Sequence, residues 1–345
     1  MNQKTFLSSL CLVLSASLLF GASAVSAREN EAAALYESEL TGELIDASLK
    51  EQRPAAVMVD NESIAYPHFG MAEADVVYEI MNSTHNGRIT RLMALVKDWD
   101  AITQMGSIRS TRPTNIWLAA EWNAILCHDG GPFYVNDYFA RDYAREHLGY
   151  DFSRVKNGKA YEFTEYVLAG DIARKLAQYG FSRTYNAFRP ERESHFLFQP
   201  QGTETDLSGY PQSQAAARVL LPFPHTSSAL SYNSATGTYD YYCYGDLHVD
   251  AEDQEVMTFK NVILQDCDYY LYDQNGYMAY SVIDSGRRGY YITNGRAIPI
   301  TWTKESESGL TRYYTDDGAE LTVNRGKTYI CLVPSDMWDS LSIES

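Results

Sequence analysis

The stretch Ala101–Gly131, AITQMGSIRSTRPTNIWLAAEWNAILCHDGG, constrains the fold more than any other part of the chain. An apolar-leaning run ends at Ile108, and two arginines, Arg109 and Arg112, stand between it and Pro113. Proline is tolerated at the first position of a helix because the N–H it lacks would be unsatisfied there anyway. The spacing therefore predicts a helix over Thr114–Glu121, then a short strand from Asn123 to Cys127 that runs out into His128, Asp129, Gly130 and Gly131. Strand, basic turn, helix, strand and polar turn is the layout of a site in an α/β layer.

Upstream of it three more apolar runs read as strands: Ala55–Val59, Ala74–Met81 and Arg88–Val96. The third is apolar on both alternating faces from Leu92 onward, as in a central strand. Short polar turns join the second, third and fourth runs, and short turns impose antiparallel pairing. If the loop between Asn61 and Glu73 is a crossover, strands one, two and four run one way, strand three runs against them, and the strand at Asn123 is parallel to the fourth. Asp60, Asn61, Glu79, Thr90, Arg91, Arg109, Arg112, His128 and Asp129 then collect at one sheet edge, where open α/β sheets usually bind ligands.

Arg109 and Arg112 at a helix start, with Arg91 beside them, are the residue types that hold a carboxylate or phosphate. The competing arrangement is an internal ion-pair network, in which Arg91 meets Glu79 across the strands and Arg109 meets Asp60 or Asp129. His128 is a candidate base, or else part of a hydrogen-bonded turn with Asp129. Asp60 and Asp129 are weak candidates for a magnesium or calcium ion. No GxSxG, HExxH, Walker or Rossmann pattern is present, so no cofactor is expected.

Further along, Phe133–His147 and Thr164–Gln178 read as helices, the second with Gly180 as its stop. Gln199–Gln212 is rich in Gly, Pro, Ser and Thr and reads as a domain boundary. From Arg218 the texture changes to short β-prone runs punctuated by Asn275-Gly276, Asn294-Gly295 and Asp317-Gly318, each a hairpin signal. The expected fold is a mixed-sheet α/β N-terminal domain over 53–205 and a mainly antiparallel β domain over 206–345. Twelve tyrosines fall between Tyr232 and Tyr291. Such rings suit either a sugar-stacking surface or ordinary strand packing.

The chain opens with Lys4, an apolar core from Phe6 to Phe20 and the small-residue ending Ala24-Val25-Ser26-Ala27, the pattern of a cleaved export signal over residues 1–27. The apolar run is shorter than the about 20 residues that span a bilayer, and no second span is expected. Residues 28–52, acidic and without periodicity, read as a tether. The full chain carries a net charge of −17, and loss of Lys4 with the signal brings it to −18. That sign disfavours nucleic acid and anionic lipid surfaces as partners. Four cysteines follow the signal, with no CxxC or CxxH spacing. Cys243 and Cys267 form either a cross-strand disulfide or two isolated buried thiols.

Five segments carry a family resemblance: Ser38-Glu-Leu-Thr-Gly42, Arg53-Pro-Ala-Ala-Val-Met-Val-Asp-Asn61, the Gly70–Glu79 segment, Ile89-Thr-Arg91 and Arg109-Ser-Thr-Arg-Pro113. With Asn261-Val262, Gly286–Trp302 and Gly326–Pro334 they resemble the YerB-like extracytoplasmic proteins of bacteria, whose N-terminal part is domain of unknown function 3048. The resemblance implies an exported, envelope-associated protein and no particular activity. Many relatives are lipoproteins, whereas this signal lacks the lipidation cysteine. The usual Glu-Gly-Gly turn before Ile-Thr-Arg is replaced by the longer Asn82–Arg88, and Ala160-Tyr161-Glu162 stands where a Pro-His-Asn motif is expected.

The expected function is a binding module with an arginine-lined anion site for a cell-wall polymer or an envelope protein. Two alternatives stand beside it. Ser107-Ile108-Arg109-Ser110 is loosely similar to a segment of LytR-CpsA-Psr phosphotransferases, which implies a magnesium-dependent phosphoryl or glycosyl-phosphate transferase, although Ser110 stands where the acid would be. The other is a structural scaffold.

Overall fold

The structure, a computed structural model, describes residues 34–190 and 194–345; the predicted export signal lies outside them. Its centre is set by β3 (Ala55–Asp60), β4 (Val76–Met81) and β5 (Thr90–Val96). Their side chains are buried almost without exception, so both faces of this sheet are covered, and continuous apolar runs rather than alternating ones encode it. β5 lies between β4 and β3 and is antiparallel to both. On the far side of β3 the parallel strands β7 (Ile125–His128) and β8 (His147–Gly149) complete the edge.

This sheet does not stop at the end of the N-terminal half. Strand Thr328–Pro334 pairs in parallel with β4 and with Asn261–Cys267, and the sheet continues through Asp284–Thr293 and Arg296–Lys304 to make eleven strands. A second sheet, six-stranded and wholly antiparallel, is built from the C-terminal part around Ala229–Asn233 and Thr238–Cys243. The fold is thus mostly β, with a mixed sheet, an antiparallel sheet and few helices. The halves on either side of residue 205 share the mixed sheet, and residues 34–345 form one compact unit.

Several local expectations need correction. Residues 35–52 are no tether: β1 (Leu35–Glu37) and β2 (Leu44–Asp46) form a hairpin whose turn buries Ser38, Glu39, Leu40 and Thr41. Gly42 has φ +69° there and lies against the Phe198 ring, a place no side chain could share. The fourth run contributes only β6 (Gln104–Gly106), which leaves the main sheet and, with β9 (Ser153–Arg154), flanks β10 (Glu165–Leu168), antiparallel to it on either side. Beyond β6 the chain touches β3 at Val59 and Ile108, also antiparallel, so strands one and four do not run the same way.

Helix α1 (Pro113–Glu121) forms as predicted, with Pro113 at N1 and the Asn115 side chain accepting the Arg112 N–H at 3.0 Å. The long helix expected over 133–147 reduces to α2 (Val135–Phe139), a 3-10 turn and β8. The helix expected from Thr164 is β10 followed by α3 (Asp171–Tyr179). Gly170 turns the chain at φ +76°, and the Asp171 carboxylate accepts the Leu168 N–H at 3.0 Å. Val167 and Leu168 therefore belong to a strand, while Ile172 and Leu176 keep the helix's apolar face. The three hairpin signals turn strands where expected. Cys243 and Cys267 lie in different sheets, and Cys127, Cys243, Cys267 and Cys331 are free and buried.

Candidate functional site

Strand parity divides the predicted site in two. Asp60 and Ile80 sit directly opposite Arg91, while Glu79 sits opposite Leu92. Residues directly opposite each other share a face and successive residues alternate, so Asp60 and Arg91 point one way and Glu79 the other.

On the other face Asn61, Glu79 and Thr90 are sealed from solvent. Glu79 is completely buried, and five donors converge on it. Its Oε1 accepts from Asn61 Nδ2 (3.3 Å), Thr90 Oγ1 (2.7 Å) and Ser228 Oγ (2.7 Å). Its Oε2 accepts from the Tyr241 hydroxyl (2.9 Å) and from that of Tyr329. Burial pushes the Glu79 carboxyl above its ordinary range, and these hydrogen bonds pull it part of the way back. Asn61 is held in turn by the hydroxyls of Tyr66 and Tyr244, each at 2.8 Å. Asn61, Glu79 and Thr90 thus tie the two halves of the chain together. No sequence spacing pointed to Ser228, Tyr241 or Tyr329 as their partners.

The opposite face opens into a cleft of about 890 Å³. Asp60, Arg91 and Arg109 line it, with Glu62, Glu162 and Tyr277 among its walls. Arg109 reaches the cleft because its backbone N–H bonds Met58 O (3.0 Å) and its C=O accepts from Asp129 N (3.0 Å), pinning the turn between β3 and β7. Its guanidinium pairs with Asp60 at 2.6 Å and Glu162 at 3.2 Å. Arg91 does not meet Glu79. The one hydrogen bond of its guanidinium among the described residues goes to Ser110 O, at 2.6 Å. Burial, followed by the charge of Arg112, pulls the Arg91 guanidinium down to about 9, with Asp60 opposing the fall.

Arg112 is the N-cap of α1 and 5 % exposed. Its guanidinium lies 4.1 Å from the centre of the Tyr277 ring and donates to Thr111 O at 2.8 Å, while its buried Nε has no hydrogen-bond acceptor among the described residues. A narrow recess of about 10 Å³ lies between Arg91 and Arg112 and is closed by Asn82, Asn115 and Met278. Tyr277, Glu162 and the His225–Glu62 pair (3.2 Å) come from parts of the chain that sequence reasoning had not connected to the site.

His128 and Asp129 stand apart from this cleft. His128 is buried, with Nδ1 at 2.8 Å from Gly130 O and Nε2 at 2.9 Å from His147 Nδ1, and its ring stacks on Phe139. Burial, then the neighbouring His147, drives its pKa down to about 3. His128 thus bonds Gly130 and His147 rather than Asp129, and it does not line the cleft. Asp129 lies 3.8 Å from Arg154, beside Glu165, whose carboxyl burial and the Asp129 charge push up to about 7. Asp60 and Asp129 therefore have different partners. Among the described residues no group of three or more His, Cys, Asp or Glu side chains is placed to hold a metal ion. No described helix is long and apolar enough to cross a membrane.

Comparison with known proteins gives these features a family. The protein named "Putative lipoprotein YerB" of Bacillus subtilis (strain 168) is 25% identical over 309 residues, 86% of each chain. The crystal structure of the YerB protein from Bacillus subtilis superposes with a TM-score of 0.74 at 22% identity, covering 90% of this chain and 100% of that one. Residues 40–182 match the N-terminal domain and residues 219–330 the C-terminal domain of the protein of unknown function DUF3048. The two matches lie in order on either side of the polar segment near residue 205 and take in most of the folded unit; the chain belongs to the DUF3048 family.

Proposed function

We propose that this protein is a binding module of the cell envelope whose cleft takes an anionic group between Arg91 and Arg112. One observation carries the reading: two neighbouring guanidiniums, Arg112 buried and Arg91 partly buried, make no ion pair among the described residues. Arg91 bonds a single carbonyl, and Arg112 bonds a single carbonyl and a ring face. Holding cations partly or wholly away from water with no carboxylate in contact is costly, and an anion in the recess relieves that cost while gaining charge-assisted hydrogen bonds. That such a cluster stands on a chain of net charge −17 adds weight. Arg109, engaged by Asp60 and Glu162, shapes the cleft rather than completing the pair. The envelope location rests on the N-terminal signal pattern and on the lipoprotein name of the Bacillus relative.

The test is thermal unfolding of residues 28–345 against carboxylates, phosphates, pyrophosphates and wall fragments, with and without magnesium. A ligand that binds only the folded form raises the melting temperature. The expected result is a magnesium-independent rise that Arg91→Ala abolishes and Arg112→Lys reduces. A rise that needs both magnesium and a pyrophosphate would favour a transferase instead. No rise with any anion would leave a scaffold.

A further inference from the structure

The surface beyond Arg112 is aromatic. Strands Tyr269–Leu271 and Met278–Tyr280 form a hairpin, and inside it the Tyr272 N–H donates to Tyr277 O at 2.8 Å. Tyr277 carries the Arg112 guanidinium on its ring; Tyr272 stacks on Tyr134 with centroids 4.3 Å apart and planes 11° from parallel. The Tyr272 hydroxyl meets those of Tyr138 and, at 3.2 Å, Tyr270. Phe133 stands edge-on to Tyr134 at 5.6 Å and is 85% exposed, with Tyr270 at 43%. The hydroxyl of Tyr134 is buried without a hydrogen-bond partner among the described residues, and the charge that acts on it most strongly is that of Arg112.

Phe133 and Tyr270 carry the half-buried Tyr134–Tyr272 stack out to solvent, and clustered rings reaching the surface are a feature of binding sites. Rings whose edges carry hydroxyls match partners that are themselves apolar on one face and polar at the rim. A pyranose is such a partner: its axial C–H bonds lie on a ring face and its hydroxyls accept at the edge. The recess between Arg91 and Arg112 admits about one oxygen-sized group, room for a single oxygen of a carboxylate.

Resting on the reading of the cleft as an anion site, we infer that its ligand is a carboxylate-bearing glycan. The acid enters the recess between Arg91 and Arg112, and the neighbouring sugar rings lie on Phe133, Tyr134, Tyr270 and Tyr272.

Calorimetric titration of residues 28–345 with three probes tests this. Peptide-free peptidoglycan strands carry both rings and carboxylates, chitohexaose carries rings alone, and poly(glycerol phosphate) carries charge alone. The peptide-free strands should bind at least tenfold more tightly than either of the others. Phe133→Ala and Tyr272→Ala should each weaken them about three- to tenfold, the range expected for one aromatic stacking contact. Phe133→Ala, at an exposed position, should leave the melting temperature unchanged. Binding of poly(glycerol phosphate) that ignores both aromatic substitutions would overturn the glycan inference and leave the anion site standing. Binding of chitohexaose as tight as that of the carboxylated strands, and insensitive to Arg91→Ala, would overturn the carboxylate requirement and the anion site together. No binding of any probe would overturn both.

Discussion

Replacing Glu79 with alanine tests the division of the site most sharply, because the same residue reads as a ligand-binding acid from its position in sequence and as a joint from its surroundings. After the truncation some donors find other acceptors. Tyr241 lies 3.2 Å from Ser228 Oγ, Ser228 lies 2.8 Å from Thr226 Oγ1, and Asn61 keeps Thr90 at 2.8 Å. The hydroxyls of Thr90 and Tyr329 have no other acceptor among the described residues. Two orphaned buried donors at roughly 1–3 kcal/mol each, with a small cavity added, give a loss of about 4 kcal/mol. At this chain length that is about 8 °C in melting temperature, taking roughly 2 °C per kcal/mol. Urea unfolding at pH 7, followed by tyrosine and tryptophan fluorescence, measures it. A loss below about 1 kcal/mol would refute the account of Glu79 as the joint between the halves.

Glu79→Gln separates the hydrogen bonds from the charge. Because burial raises the Glu79 carboxyl above its ordinary value, the native state holds that proton to higher pH than the unfolded chain does. The stabilising contribution of this titration is complete below the unfolded carboxyl value and is lost as pH rises through the raised one. The stability gap between wild type and Glu79→Gln should therefore shrink with rising pH across the carboxyl range. A gap that widens instead would mean that the five donors outweigh burial.

Two other outcomes follow from buried groups outside the cleft. His68 Nδ1 and His248 Nε2 meet at 2.9 Å between the two halves, and burial drives His248 down to about 4. Its stabilising effect is present above the ordinary histidine value of about 6.5 and is lost as pH falls towards 4, an amount of order 3 kcal/mol; His248→Gln should flatten the acid limb of a pH–stability curve by that order. Burial likewise raises the thiols of Cys243, Cys267 and Cys331. An aromatic disulfide reagent should leave folded residues 28–345 unlabelled at pH 8 and label their four cysteines in urea, with reductant leaving the melting temperature unchanged.

The opposed directions of β4 and β5 were legible because the short turn between them fixes antiparallel pairing, and the Pro113 helix start because proline and a following apolar run fix that; the direction of β3 rested on a supposed crossover, and that of β7 on a fourth strand that in fact leaves the sheet. The two other helices were misread for a physical reason. In Thr164–Gln178 a four-residue buried strand and a nine-residue amphipathic helix abut, and their apolar positions fall by chance on one helical stripe, so periodicity alone cannot show the Gly170 turn between them. Phe133–His147 fails similarly: only five residues stay helical before the chain re-enters the main sheet as β8. The acidic 28–52 segment gave no signal because its order from residue 35 comes from distant residues, among them Phe198 and the Arg325 guanidinium that reaches Gly42 O.

The arginines and acids were found together in sequence yet act apart, and strand parity is the reason. A strand turns successive side chains to opposite faces, so the neighbours Asp60 and Asn61, or Thr90 and Arg91, divide between a solvent-facing cleft and a sealed network. A substitution on the sealed face should therefore lower stability without selectively changing ligand affinity, and one on the open face should do the reverse. Measured on the same preparations, Glu79→Gln and Arg91→Ala should fall on opposite axes of a plot of unfolding free energy against affinity. If both move along one axis, the sheet does not insulate its two faces, and the cleft and the joint are a single device.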